Sequence, residues 1–296
     1  MDIQQDNGLS ALFVSLEEER VCTGFIFTEG PVWIAADNCL VFSDIHSNRT
    51  HRWRPGSETA EVFREPSNHG NGNTLDLDGN VLTCEHFGRR VATTAYGGGT
   101  ETLIDSFEGK SLHSPNDVVV HSSGALYFTD PDYGYARNPE PVARELDFQG
   151  VYRVAPDGSV SVVEDRIEKP NGLTFSPDES LLYVADSSAQ RKIWRYEVNA
   201  DGSLGDRTLF ADMEHDERRG VPDGMKVDTD GRLWSTGAGG VWVLAPDGEL
   251  LGVFETAEHA ANLAFGGPDW STLYLTANTS VYRVETAVTG IAPHTR

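Results

Sequence analysis

The sequence contains little cysteine and little positive charge. Its 296 residues include only 3 cysteines, an odd number without the spacing of a metal site. This excludes a disulfide-rich secreted scaffold and a cysteine-based zinc site, and it predicts reduced thiols in the cytoplasm. Lys and Arg total 23 against 46 for Asp and Glu, which gives a net charge of −23. Because that charge repels phosphate backbones and anionic lipids, we expect neither nucleic acid nor a membrane as a partner.

Long apolar runs and helical periodicity are also missing. No stretch approaches the roughly 18–20 apolar residues of a transmembrane helix. The polar, acidic segment from Met1 to Arg20 does not resemble a secretory signal. The one helix-like stretch, Ala211 to Arg219, is short and charged. The sequence instead shows short runs of Val, Tyr, Trp, Phe and Thr that alternate with Asp-Gly turns, a pattern typical of β-hairpins.

These hairpins form a six-fold repeat. In each unit a polar residue precedes a first strand, and two hairpins follow, so each unit contains four strands. The six polar residues, at intervals of 39 to 55 residues, are Glu29, Asn71, Asn116, Asn171, Asp223 and Asn262. Six such units predict an all-β protein, a six-bladed β-propeller with four-stranded blades that takes up residues 1–296 as a single domain. Two β-sandwiches would fit the strand content but not the uniform repeat.

Propeller geometry would bring the six polar residues to one rim of the central channel. Two of them are carboxylates, four are amides, and none is His or Cys. A set of oxygen donors favours a hard cation, with Ca²⁺ preferred over Zn²⁺. Mg²⁺, Mn²⁺ and Zn²⁺ stay open as alternatives, because composition does not fix the size of the site.

The loops between the second and third strands should open on the same rim. They carry Glu85 and His86 in the second unit and Asp132 and Tyr133 in the third. The third loop, residues 131–149, is the longest and has the length of a lid or binding loop, although a surface excursion would fit equally well.

Seven segments resemble, in order, those of a known family of six-bladed propellers, the senescence-marker/gluconolactonase/luciferin-regenerating group. The segments are Glu29–Trp33, Cys84–His86, Ser114–Asp117, Tyr127–Pro131, Pro170–Gly172, Val221–Gly224 and Ala261–Phe265. The similarity extends from about residue 24 to residue 284, and the Cys-Glu-His and Ser-Pro-Asn-Asp segments look most like those of microbial gluconolactonases.

The resemblance implies a metal-dependent hydrolase that converts a sugar lactone to its aldonic acid. It implies Glu29, Asn171 and Asp223 as metal ligands, with Asn116 as a fourth ligand or a substrate contact. Asp223 also matches the family's general acid/base. Ser114 stands where relatives of the senescence-marker type carry arginine, so that substrate contact is lost or replaced.

Five residues are candidate substrate contacts because they should surround the same mouth. They are Glu85, His86, Asn116, Asp132 and Tyr133. A different substrate class on the same metal site, such as an aryl ester, a phosphotriester or a non-sugar lactone, is one alternative. A non-catalytic propeller that binds a ligand is another. The oligomeric state is left open, and an N-terminal segment such as 12–16 is expected to close the ring on the last blade.

Overall fold

The computed structural model describes residues 1–95, 98–135 and 142–294, in which short strands alternate with tight turns. Among these residues the only helices are two 3₁₀ turns, Leu9–Leu12 and Ala35–Asp37. Within the same ranges, no helix has the length and apolarity needed to cross a membrane. The helix-like stretch of the sequence instead begins in a strand, Thr208–Asp212, and continues as turns.

Six large antiparallel sheets form the blades, and within each the strands follow one another in chain order apart from two N-terminal strands that join blades 5 and 6. Blade 1 contains Thr28–Ile34, Cys39–Asp44, Arg49–Trp53 and Glu61–Arg64; blade 2 contains Gly70–Leu75, Val81–Glu85, Arg90–Thr94 and Thr100–Ile104; blade 3 contains Val118–Val120, Leu126–Asp130, Gly150–Val154 and Val160–Glu164. A small hairpin, Ser106–Phe107 with Lys110–Ser111, lies between blades 2 and 3.

The remaining three blades follow the same plan. Blade 4 contains Pro170–Phe175, Leu181–Asp186, Lys192–Glu197 and Thr208–Asp212; blade 5 contains Met225–Val227, Leu233–Gly237, Gly240–Leu244 and Leu250–Glu255; blade 6 contains Ala260–Gly266, Thr272–Ala277 and Ser280–Glu285. Asp-Gly turns join many of these strands, and Gly158 and Gly202 there have φ of +83° and +81°, which glycine adopts without strain. The predicted six-bladed β-propeller is confirmed.

The N-terminal residues complete the last two blades. The strand Glu19–Thr23 pairs with Ser280–Glu285 and becomes the fourth strand of blade 6, which closes the ring. The strand Asp2–Asp6 adds a fifth strand to blade 5. The expectation that residues 12–16 would close the ring is therefore wrong in its residues, because that segment contributes only an isolated bridge between Phe13 and Thr286.

The hydrophobic core is divided among the junctions between blades. Six buried clusters are present, and each joins residues of two neighbouring blades. At the junction of blades 6 and 1, for example, Trp33 stacks on Tyr274 with ring centroids 5.3 Å apart. The three cysteines are buried and free within these clusters. Burial of apolar surface between blades, rather than within them, holds the ring closed.

The chain after blade 6 crosses the end of the channel that lies away from the rim. Its backbone pairs with the turn of blade 5, where the Thr229 amide donates to the Thr289 carbonyl at 2.8 Å. It then reaches blade 4, where the His294 ring lies 2.8 Å from the Glu179 carboxylate. Residues 291–294 thereby line a cavity of about 110 Å³ at this end of the channel.

Candidate active site

The first strands of the blades bring the six polar residues of the repeat to one ring at the channel mouth. Five of them are buried, with side chains at most 5% exposed, and Asp223 is partly exposed. Neighbouring members touch directly or through backbone, as shown by the Asn262 amide, which donates to the Glu29 carboxylate at 2.9 Å across the closure of the ring. Six residues scattered over more than two hundred positions are thus gathered in one place.

Glycine makes this ring narrow. In four blades the residue after the polar one is glycine, and each glycine abuts the polar residue of the next blade. The pairs are Gly30 with Asn71, Gly72 with Asn116, Gly172 with Asp223 and Gly224 with Asn262. The Gly72 amide also donates to the Asn116 carbonyl at 2.8 Å. A side chain at these positions would separate the blades, so the Glu-Gly, Asn-Gly and Asp-Gly pairs of the ring serve close packing rather than turns.

We predict that Gly172→Ala loosens the site. The new Cβ would lie 2.0 Å from the Asp223 carbonyl oxygen, so the backbone that carries Asp223 must shift. The free energy of unfolding should fall by about 2 kcal/mol, as for other overpacked interiors, and calcium affinity measured by calorimetry should fall about tenfold through misplaced ligands. The matched control is Gly99→Ala, whose Cβ would meet nothing within 4 Å. Equal stability and affinity in the two variants would contradict this assignment.

Glu29 is a buried carboxylate at the ring closure. Its Oε2 accepts hydrogen bonds from the Gly30 amide at 2.6 Å and from the Asn262 side chain at 2.9 Å. Burial raises the pKa of Glu29 to about 7, and the negative charge of Asp117 adds to this rise against the lowering effect of the hydrogen bonds. A carboxylate in this environment is stabilised by a nearby cation.

Asp223 lies on the same mouth and is held by blade 4. Desolvation by the surrounding protein and then the charges of Glu29 and Asp117 raise its pKa well above the usual range, whereas a hydrogen bond from Asn171 lowers it. Asn171 also donates to the Ser187 hydroxyl at 2.8 Å, so its amide is fixed toward the site. The arrangement places two mutually repelling carboxylates beside an oriented amide.

The donor set fits a hard divalent cation. The negative charge of Glu29 raises the pKa of Asp223, and that of Asp117 raises the pKa of Glu29. The described residues contain no group of three or more His, Cys, Asp or Glu with metal-binding geometry. The other oxygen donors of the ring are the side-chain amides of its four asparagines. Oxygen donors with a total charge of −2 are the chemistry that calcium prefers.

Three of the predicted substrate contacts face the mouth. Asn116 is 5% exposed. The His86 Nε2 lies 3.2 Å from the Asn71 amide nitrogen. Tyr133 forms hydrogen bonds with Ser187 and Asn171, and burial raises its pKa to about 12. These polar groups surround the two carboxylates and can contact a hydroxylated ligand.

Asp132 lies on the long loop of blade 3, where it is bound by Arg144 through an ion pair. Its backbone amide donates to the Gln149 side chain at 2.9 Å, which ties the two ends of the loop together. Residues 136–141 of the predicted lid lie outside the described residues. The described part of this loop is therefore anchored beside the mouth, with Tyr133 as its inward residue.

Glu85 is fully buried beneath His86 and is engaged with arginines. Its Oε1 accepts from Arg64, and its Oε2 accepts from Arg90 at 2.7 Å and from Asn68 at 2.8 Å. Because Arg64 belongs to blade 1, this network joins blades 1 and 2 beside the mouth. Both oxygens of Glu85 are occupied, so in this structure Glu85 anchors the His86 loop, and its contact with substrate stays a prediction.

Fold and site together define a six-bladed propeller with a ring of carboxylate and amide side chains at the mouth of its channel. The family model described as "SMP-30/Gluconolactonase/LRE-like region" matches residues 27–279. The chain belongs to this family, which confirms the resemblance seen in the sequence.

Several similar proteins are named lactonases. A gluconolactonase of Zymomonas mobilis is 33% identical over 94% of this chain and 84% of its own length. A pentonolactonase of Haloferax volcanii is 32% identical over 84% of this chain and 80% of its own length. A solved structure of a gluconolactonase from Xanthomonas campestris is 34% identical, with a TM-score of 0.88 over 96% of this chain and 94% of that one.

Proposed function

We propose that this chain hydrolyses a sugar lactone of the gluconolactone type to the corresponding aldonic acid, and that it uses a divalent cation, with calcium preferred. The chain is a hydrolase of the lactonase class, which its family membership and the names of its similar proteins support. The observation that carries the proposal is the pairing of two desolvated carboxylates, Glu29 and Asp223, with the oriented amide of Asn171 at one mouth.

When bound, the cation would be held by Glu29, Asn171 and Asp223, with Asn116 beside them, and would supply Lewis-acid polarisation of the lactone carbonyl. Asn262 and Gly30 hold the Glu29 carboxylate in place through their hydrogen bonds. These residues therefore fix the position at which negative charge develops as the carbonyl carbon is attacked.

Asp223 is the proton carrier. Its carboxylate takes a proton from water while the water oxygen bonds to the carbonyl carbon. It returns that proton to the ring oxygen as the ring C–O bond breaks, so one water and one lactone give one hydroxy acid. Desolvation and the nearby carboxylates make Asp223 more basic than an exposed aspartate, which opposes the lowering of its pKa by a neighbouring cation.

The polar rim would orient the hydroxyl groups of the sugar. His86, Asn116 and Tyr133 present ring nitrogen, amide and phenol groups toward the mouth, and Asp132 stands beside them in its ion pair with Arg144. A hydroxylated substrate satisfies these groups better than an apolar ester would, because buried polar atoms without partners are costly. This supports a sugar lactone over the aryl ester alternative.

Acid release from glucono-1,5-lactone tests the proposal. Protein stripped with a chelator is assayed with and without added Ca²⁺, with spontaneous opening of the lactone subtracted. We expect turnover that depends on calcium and that extends to a pentonolactone. Tight calcium binding without turnover on several sugar lactones would overturn lactone hydrolysis and favour the ligand-binding propeller. Equal turnover in stripped protein would overturn the metal dependence.

A further inference from the structure

Ser114 is fully buried beneath the long loop of blade 3 and binds that loop through its side chain. Its hydroxyl donates to the Pro131 carbonyl at 2.6 Å and accepts from the Gly134 amide at 2.9 Å. A serine hydroxyl has one hydrogen to donate, and here both the donated bond and an accepted bond go to the same short segment, residues 131–135. The segment before the first strand of blade 3 is thereby joined to the loop after its second strand.

The position of Ser114 itself does not depend on its hydroxyl. Its backbone amide donates to the Asp130 Oδ1 at 2.8 Å, and the preceding amide, of His113, donates to the Asp130 Oδ2 at 2.7 Å. Asp130 is fully buried at the end of the strand Leu126–Asp130. Because these two bonds hold the backbone, removal of the Ser114 hydroxyl should release the loop and leave residue 114 in place.

The loop packs on Ser114 without free space. The Tyr135 amide donates to the Asp132 carbonyl at 3.1 Å, which closes a tight turn with Tyr133 and Gly134 at its centre. A Cβ on Gly134 would lie 2.6 Å from the Ser114 Cβ, so only glycine allows this approach. A tight turn that rests on a buried side chain has a defined orientation, and that orientation decides where Tyr133 points.

Tyr133 reaches from this turn to blade 4. Its hydroxyl forms hydrogen bonds with Ser187 and Asn171. The Ser187 hydroxyl in turn donates to the carbonyl of Pro222, the residue before Asp223. A turn that belongs to blade 3 therefore contacts the polar groups of blade 4 that lie beside the two carboxylates of the mouth.

We propose that Ser114 is a positioning residue for the substrate, because its hydroxyl docks the turn 132–135 and so holds Tyr133 as one wall of the site. Ser114 is buried, so it acts through Tyr133 and does not touch the substrate. The role in substrate binding rests on the proposed lactone hydrolysis, whereas the docking of the turn does not. A wall that contacts the substrate before and during the reaction contributes uniform binding, which is expressed in KM more than in kcat.

The experiment compares Ser114→Ala, Tyr133→Phe and the double variant in initial rates on glucono-1,5-lactone at saturating calcium. We expect Ser114→Ala to raise KM about tenfold and to leave kcat within about threefold. Its calcium affinity, measured by calorimetry, should stay within twofold, because Asn171 keeps its bond to Ser187. The double variant should raise KM little beyond the larger single effect, because both substitutions act through the same phenol.

Hydrogen exchange measured by mass spectrometry reports the docking without any substrate. The peptide that covers residues 131–135 should exchange about tenfold faster in Ser114→Ala than in wild type, because the Gly134 amide loses its acceptor. The matched control is Ser159→Ala in the same blade. Ser159 is exposed in a turn, where its hydroxyl donates to Asp157 at 2.7 Å. Its loss should change neither KM nor exchange at 131–135.

Gly134→Ala disturbs the same contact from the loop side and should give the same rise in KM, so the proposal stays testable if Ser114→Ala does not fold. Wild-type KM and exchange in Ser114→Ala would overturn the proposal, as would additive KM effects of Ser114→Ala and Tyr133→Phe. Turnover in wild type with an unchanged KM in Ser114→Ala would reject the positioning role alone. Absence of turnover in wild type would reject lactone hydrolysis, while faster exchange in Ser114→Ala would still support the docking.

Discussion

Asp223→Asn is expected to reduce kcat for lactone hydrolysis by about 10³-fold at saturating calcium. Asparagine keeps an oxygen at the cation site and the hydrogen bond with Asn171, but it cannot accept the proton of the attacking water. Initial rates of acid release, measured at calcium concentrations that calorimetry shows to be saturating, give this value. The loss should persist at every calcium concentration, because the missing group is a base and not only a ligand.

The control for this variant is Asp230→Asn in the same blade. Asp230 is a turn residue with a side chain that is 65% exposed, and its partner is Arg232 at 2.8 Å. Its amide variant should hydrolyse lactones at the wild-type rate. If Asp223→Asn retained a tenth or more of the wild-type kcat with calcium bound, Asp223 would not be the proton carrier.

Glu29→Gln should weaken calcium binding and leave the catalytic step largely intact. The variant keeps an oxygen for Gly30 and Asn262 but removes one of two negative charges, so calcium affinity should fall about 100-fold. Because Glu29 carries no proton in the reaction, saturating calcium should restore kcat to within about tenfold of wild type. Titrations by calorimetry and rates against calcium concentration measure the two quantities.

Glu58→Gln, which changes an exposed residue in the outer part of blade 1, provides the control and should alter neither quantity. A Glu29→Gln variant with wild-type calcium affinity would remove Glu29 from the ligand set. A variant that stays inactive at saturating calcium would give Glu29 a part in the chemistry. Taken with Asp223→Asn, the pair distinguishes a residue that only holds the cation from one that also moves a proton.

The repeat in the sequence was sufficient to predict the blades and the ring. Each unit starts with a polar residue at the same structural position, and antiparallel hairpins are encoded locally by turn glycines and alternating apolar residues. For the same reason the ring residues Glu29, Asn171 and Asp223 could be placed together without any knowledge of contacts. Such local patterns predict the structure correctly where the local preference of the chain and its tertiary packing favour the same conformation.

Contacts between distant segments could not be predicted in this way. Glu85 forms an ion pair with Arg64 of another blade, and nothing in the Cys-Glu-His segment predicts that partner. The pairing of Glu19–Thr23 with blade 6 is equally non-local, so the closing segment was misplaced. The sequence contained only a weak indication for Lys226, a charged residue between the core residues Met225 and Val227. That its side chain lines the channel cavity follows only from the closed ring.

The six hydrophobic junctions between blades determine how far the structural effect of a substitution extends. In an open stack of repeats, an end can fray and leave the remainder intact, whereas a closed ring has no end at which to fray. Each donor at the mouth comes from a different blade. Weaker packing at one junction therefore changes the spacing of all six donors. A substitution in the Trp33–Tyr274 stack would therefore change the spacing of the donors around the whole mouth and not only of those in its two nearest blades.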